Sequence, residues 1–146
     1  MKIQGATKEN YQELISVWES SVRATHDFLP EKKIAELKTV ILEQYFDSVD
    51  LFCLKNSNEK ILGFIGVADS KIEMLFVAPD YIGQKFGQTL TEYAINNLAA
   101  SKVDVNEQNP NAIGFYHRMG FIQAGRSAFD GMGNPFPLIH MKLNLI

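Results

Sequence analysis

The sequence is poor in the features that most often declare a function outright. It has one cysteine, Cys53, so no internal disulfide can form, and the expectation is a reducing, cytoplasmic setting. It has no surplus of basic charge: 14 Lys and Arg stand against 17 Asp and Glu, a net charge of −3. Such a balance gives no basic field for a phosphate backbone and argues against a nucleic-acid partner. Long apolar runs are absent too. The longest stretch without Asp, Glu, Lys or Arg is Gly131 to Met141, broken by Gly133, Pro135 and Pro137, so no membrane partner or span is expected. The opening Met1-Lys2-Ile3-Gln4-Gly5 lacks the apolar core of a secretory signal. The histidines, His26, His117 and His140, have no ligand-like spacing, so a metal site is not expected.

What is present suits one globular domain over 1–146: 46% of the residues are apolar, enough for a core without disulfide or metal staples. Met1 to Ala6 reads as a short strand. Thr7 can cap a helix in which Leu14, Val17, Trp18, Ser21 and Val22 recur at spacings of three and four. Pro30 suits the start of a second helix, with Ile34, Leu37, Ile41 and Tyr45 on one stripe. Leu51 to Lys55, Ile61 to Ala68 and Ile72 to Val77 are strand-like runs joined by turn-forming residues, hence an antiparallel meander.

Beyond Pro79 comes a loop, then a helix with Phe86, Leu90, Tyr93, Ala94 and Leu98 on its buried stripe. Val103 to Val105 is a strand, Asn111 to Met119 a short helix closed by Gly120, and Phe121 to Phe129 and Leu138 to Leu143 are strands. The order is β-α-α-β-β-β-α-β-α-β-β. It predicts a mixed α/β sheet, an α+β arrangement with helices on its faces.

Two segments carry chemistry. In Val77-Ala-Pro-Asp-Tyr-Ile-Gly83-Gln84-Lys85-Phe86-Gly87-Gln88, a strand leads through a glycine-bearing loop into a helix, where successive N–H groups and the positive helix end can hold phosphate. A plain connection reads the same way in isolation. The Gly-Lys-Ser/Thr ending of a nucleotide-binding loop is missing, and so is the three-glycine dinucleotide spacing. In Asn109-Pro-Asn-Ala112-Ile-Gly-Phe115-Tyr116-His-Arg-Met-Gly120-Phe121, the Asn-Pro pair starts a helix that offers Phe115 and Tyr116, either as core aromatics or as members of a site.

Together, in this order and after this meander, the two segments resemble the GNAT superfamily of N-acetyltransferases, in its small bacterial single-domain form. The Asn-x-x-Ala-x-x-Phe-Tyr-x-x-x-Gly-Phe motif is complete as Asn109, Ala112, Phe115, Tyr116, Gly120 and Phe121. The loop departs from the usual Arg/Gln-x-x-Gly-x-Gly/Ala: Ile82 and Lys85 replace the leading side chain and the middle glycine, while Gly87 matches. Lysine at that point could supply charge to a pyrophosphate from its side chain. Trp18 to Pro30 resembles acceptor-side helices of the family.

The resemblance implies acetyl-CoA as cosubstrate, held by the backbone of Leu75, Phe76 and Val77, by the loop and helix start at Gly83, Gln84, Lys85, Phe86, Gly87 and Gln88, and by Asn109 and Phe115. It implies an amine-bearing acceptor, a small molecule or a peptide amine, near Trp18, His26, Asp27 and Phe28, with the 130–137 loop and Phe136 at the pocket's border. A homodimer is compatible with it. Direct transfer in a ternary complex needs no enzyme nucleophile, so Cys53 reads as a small core residue. Tyr116 is the candidate acid to the leaving thiolate. Glu73 is the candidate base: strict alternation puts it on one face with Leu75 and Val77, where an apolar setting would raise its pKa, although Lys71 beside it equally suits a solvent-facing strand start. His26 and Asp27 could bind or deprotonate an amine, or simply close one helix and cap the next. The alternative to an enzyme is a catalytically inert acyl-CoA-binding or sensing module.

Overall fold

The computed structural model describes residues 1–131 and 133–144. The apolar run of the sequence becomes β3 (Ile61–Ala68), buried along nearly its whole length because helices cover both of its faces. Around it lie β1 (Lys2–Gly5), β2 (Asp50–Lys55), β4 (Lys71–Val77), β5 (Lys102–Asn106), β6 (Phe121–Ser127) and β7 (Leu138–Leu143), in one sheet of order β1-β2-β3-β4-β5-β7-β6. Every neighbouring pair is antiparallel except β4 and β5, which run parallel. The expected mixed sheet and its meander β2-β3-β4 are both found.

One face packs against α1 (Tyr11–Thr25) and α2 (Glu31–Val40), burying Leu14, Ile15, Trp18 and Ile34 over Cys53, Phe64 and Met74. The other packs against α4 (Phe86–Asn97) and α5 (Pro110–Arg118), burying Leu90, Ala94 and Tyr116 over Ile65, Ile72 and Val103. Cys53 has no exposed surface, and burial pushes its thiol pKa up, as befits a packing residue.

Beyond shifts of a residue at element ends, three features differ from the sequence reading. The second helical stripe does not stay α-helical to Tyr45: α2 ends at Val40, Ile41–Tyr45 is a π-helical turn, and one more turn, α3 (Phe46–Ser48), follows. The insertion turns Phe46 into the core against Phe64, their rings 5.9 Å apart. β6 stops at Ser127 rather than Phe129, which is 58% exposed, because the chain then enters a turn in which Asp130 accepts from Asn134 N at 2.9 Å. Met132 of that loop lies outside the described residues.

The third difference positions the site. In the β3–β4 ladder Gly66 faces Met74 but Val67 faces Ile72, so Glu73 is the extra residue of a β-bulge. A bulge bends its strand and shifts the phase of its side chains. Ile72 accordingly packs toward α4, while Met74, two residues on, packs toward α1. Beyond the bulge β4 parts from β5: only Lys71 and Ile72 pair, with Lys102 and Val103.

Candidate active site

The parting of β4 from β5 leaves Met74 to Val77 with no ladder partner on that edge, so backbone groups there are open to a ligand. Two adjoining cavities occupy the split. The larger, about 370 Å³, runs from the end of α1 past Val77 and Gly87 to Phe115. The smaller, about 130 Å³, lies between β4 and β5. They share His26, Leu75, Phe76, Asn109, Ala112 and Tyr116, so one continuous cleft crosses the sheet.

At one end stands the start of α4. Its first backbone bond runs from Thr89 N to Lys85 O at 3.0 Å, leaving the N–H groups of Phe86, Gly87 and Gln88 aimed out of the helix end. The side chains of Phe86 and Gln88 are engaged elsewhere, Phe86 against Tyr81 and Gln88 donating to Glu92 at 2.8 Å. A Cβ on Gly87 would sit in ordinary contact, 3.7 Å from Phe115 and 3.8 Å from Val77, so a side chain larger than a methyl would take up cleft space beside both. Gly83 and Lys85 take left-handed backbone angles, φ 91° and 67°. For lysine that conformation costs about 1–2 kcal/mol, where the family's glycine would pay little.

Tyr116 sits on the wall of both cavities and is only 7% exposed. Its ring meets Phe115 and Phe121 edge-on at 5.0 and 5.6 Å. Among the described residues no fully buried side-chain oxygen lacks a partner, and no protein group bonds the Tyr116 hydroxyl. The hydroxyl is therefore the part of this ring left open to the cleft. Burial pushes its pKa well above the usual tyrosine range, so it stays protonated.

Asn109 caps α5 by accepting from Ala112 N at 3.2 Å and turns its amide nitrogen to His26 Nε2, 3.5 Å away. His26 closes α1, and its ring packs on Phe28, centroids 5.4 Å apart; Phe28 in turn meets Phe136 at 6.0 Å. The chain thus brings Phe28, and through it Phe136, up to His26 beside the cleft. Asp27 is exposed and lines neither cavity.

Two expectations need correction. Trp18, read as an acceptor contact, is 3% exposed and belongs to the core beneath α1, because its stripe faces the sheet and only the last turn of α1, from Ser21, reaches the cleft. Glu73 does not share an apolar face with Leu75 and Val77. The bulge takes it out of the alternation and leaves its side chain 39% exposed, 3.8 Å from Lys71.

A polar cluster that sequence reasoning missed lies on the far side of the split. Asp104 pairs with Lys71 at 2.5 Å and accepts from His140 Nδ1 at 2.6 Å, while His140 Nε2 meets Ser127 Oγ at 2.6 Å. Burial works against ionisation of Asp104, yet the His140 and Lys71 bonds outweigh it and hold the carboxyl below its usual range. The alternation Val103-Asp104-Val105 marks a polar face, but its partners come from strands far along the chain. Next to it Lys71, Glu73, Asp104, Asp130 and Gly131 border a further hollow of about 330 Å³ that Leu37 of α2 also lines; Lys33 of α2 separately donates its Nζ to Asn134 Oδ1 at 2.8 Å.

Comparison with known proteins decides what kind of site this is. Residues 19–145 match the acetyltransferase (GNAT) domain family. The chain belongs to the GNAT family of acetyltransferases. Similar relatives are the peptidyl-lysine N-acetyltransferases YjaB of Salmonella typhimurium, 35% identical over 97% of each chain, and of Escherichia coli, 33% identical over 97% of this chain and 95% of that one. The solution structure of apo-form YjaB from Escherichia coli superposes with a TM-score of 0.86 at 34% identity, covering 97% and 95% of the two chains. This GNAT domain is accordingly an N-acetyltransferase using acetyl-CoA. Its residues fit that cosubstrate: an unpaired strand edge at Met74–Val77, free N–H groups at the start of α4, and a glycine where the cleft narrows. Among the described residues no helix is long and apolar enough to cross a membrane.

Proposed function

We propose that this protein transfers the acetyl group of acetyl-CoA to the side-chain amine of a lysine in a peptide or protein, by direct attack within a ternary complex. The carrying observation is the continuous cleft through the split sheet, open to an anion-binding helix start at one end and to a hollow bordered by Glu73, Asp104 and Asp130 at the other. Lys71 already pairs with Asp104 and lies 3.8 Å from Glu73, so the carboxylates lining the hollow already receive one ammonium and suit a second. The relatives' names point to the same acceptor.

In this reading the backbone of Leu75, Phe76 and Val77 pairs with the pantetheine arm as an added strand would. The N–H groups of Gly83, Lys85, Phe86, Gly87 and Gln88 and the Lys85 ammonium hold the pyrophosphate, with Gln84 between them keeping its N–H on Tyr81 O, and Phe115 packs beside it with Asn109 at the turn. Tyr116 donates to the sulfur as charge builds there. Its raised pKa makes the hydrogen bond to a developing thiolate its first contribution and proton transfer the later one. Glu73, in its solvent-facing position, draws the ammonium toward the split. Phe28 and His26 border the acceptor.

The test is thiol release from acetyl-CoA with lysine peptides whose α-amine is blocked, together with calorimetry for the coenzyme. Thiol release with one added acetyl group on the lysine is the expected result. Coenzyme binding with no release across lysine-containing peptides, but release with a free α-amine or polyamine, would replace the acceptor.

A further inference from the structure

The bulge at Glu73 leaves open which group receives the proton when the acceptor nitrogen attacks, and the hydrogen bonds around His26 answer it. The Thr25 hydroxyl has a single hydrogen, which it donates to Ser21 O at 2.7 Å. Toward His26 Nδ1, 2.8 Å away, the same oxygen can then only accept. His26 therefore carries its hydrogen on Nδ1, and the lone pair is on Nε2. Asn109 is fixed as well: its oxygen is committed to Ala112 N, so its amide nitrogen faces Nε2 at 3.5 Å. That distance is the outer limit of a hydrogen bond and leaves the lone pair available.

Nε2 belongs to a ring that lines both cavities together with Tyr116, Leu75 and Phe76. We infer that His26 is the general base of the acetyl transfer, taking the proton from the acceptor nitrogen on Nε2, with Thr25 and Asn109 as positioning residues that fix the basic tautomer. This rests on the acetyl-transfer reading above. The acceptor, having first given its ammonium proton to solvent, attacks as the neutral amine. A C–N bond forms at the acetyl carbon and the C–S bond breaks, its electron pair going to sulfur. The nitrogen's proton goes to His26 Nε2 and the thiolate takes one from Tyr116. Solvent then removes the proton from His26 and returns one to Tyr116.

Burial lowers the His26 pKa, and the neighbouring Asp27 charge opposes this only in part. The other groups around the ring are Tyr116 on α5, kept neutral by burial, and Glu73 and Asp104 across the smaller cavity, with Asp104 spoken for by Lys71 and His140. The imidazole is thus neutral at neutral pH, and the acid limb it contributes to the kcat profile should appear as pH drops through this lowered pKa.

The experiment uses the full chain, acetyl-CoA and a lysine peptide that the parent acetylates. His26→Gln should bind acetyl-CoA within about twofold of the parent by calorimetry, lower kcat on the order of 100-fold, and lose the acid limb of the kcat profile. His26→Ala should regain activity with added imidazole, more so with more basic substituted imidazoles. Thr25→Val should show a smaller loss and keep a displaced acid limb. Glu73→Gln should keep the limb in place. A His26→Gln enzyme that retains the parental acid limb overturns the inference, as does a folded, coenzyme-binding His26→Ala that no imidazole rescues. A parent that binds acetyl-CoA yet acetylates no amine at all overturns the transfer reading itself, and the base with it.

Discussion

Toward α4 the cleft is walled by main chain and apolar side chains: the open edge of β4, the N–H groups at the helix start, Gly87, Val77 and Phe115. Toward β5 it is walled by the polar side chains of Glu73 and Asp104, and beyond them it adjoins the further hollow bordered also by Lys71 and by Asp130 of the β6–β7 loop. The difference follows from what each wall meets. A coenzyme common to a whole family can be held by backbone groups, which are indifferent to sequence and keep their geometry through many substitutions. An acceptor must be told apart from other amines, and only side chains can do that. Tyr116 and His26 stand where the two walls meet.

The comparison is tested hardest at that junction. Tyr116→Phe removes one oxygen from a buried ring and should cut turnover on the order of 100-fold or more, with acetyl-CoA affinity within about twofold; thiol release and calorimetry separate the two effects. Comparable losses in both would move Tyr116 onto the coenzyme wall.

On that wall, Gly87→Val puts methyl groups against Phe115 and Val77. By filling cleft space rather than straining the fold, it should weaken acetyl-CoA binding about tenfold, while thermal unfolding shows the fold retained. A variant that binds normally would mean the coenzyme does not pass Gly87.

On the opposite wall, Asp104→Asn removes the charge that Lys71 and His140 share. It should cost about 1–2 kcal/mol of stability, read by urea denaturation at pH 7, and raise KM for a lysine peptide more than for acetyl-CoA. The same carboxyl gives a pH signature. Because its folded pKa is depressed, its contribution is present above the unfolded aspartate value of about 3.9 and is lost as pH falls below that. The stability gap between parent and variant should therefore close under acid.

Lys85→Gly should be the mildest change. It relieves a left-handed lysine but removes a charge at the helix start, so acetyl-CoA affinity should fall a few-fold, less at high salt. An affinity gain would show that the backbone alone holds the pyrophosphate.

The coenzyme wall was largely legible in the chain. The Asn109 to Phe121 motif is contiguous, the loop before α4 is marked by its glycines, and the apolar periods of the helices and the meander survive in the fold with small shifts of boundary. Trp18 was misplaced because a helical stripe says which residues face inward but not which turn of the helix reaches the cleft. Glu73 was misplaced because alternation assumes an unbroken ladder, and one extra residue opposite Gly66 and Val67 reverses the face. Nothing local announces that residue.

The sequence by itself determined the fold class, the family and the cosubstrate, because periodic burial and a short contiguous motif are properties of neighbours along the chain. Tertiary structure alone decided the parting of β4 from β5, the Lys71–Asp104–His140–Ser127 cluster, and the approach of Asn109 to His26. Each depends on atoms that meet only when strands and helices far apart in sequence are brought to within a hydrogen bond of one another, and a hydrogen bond is decided by distance and direction rather than by composition.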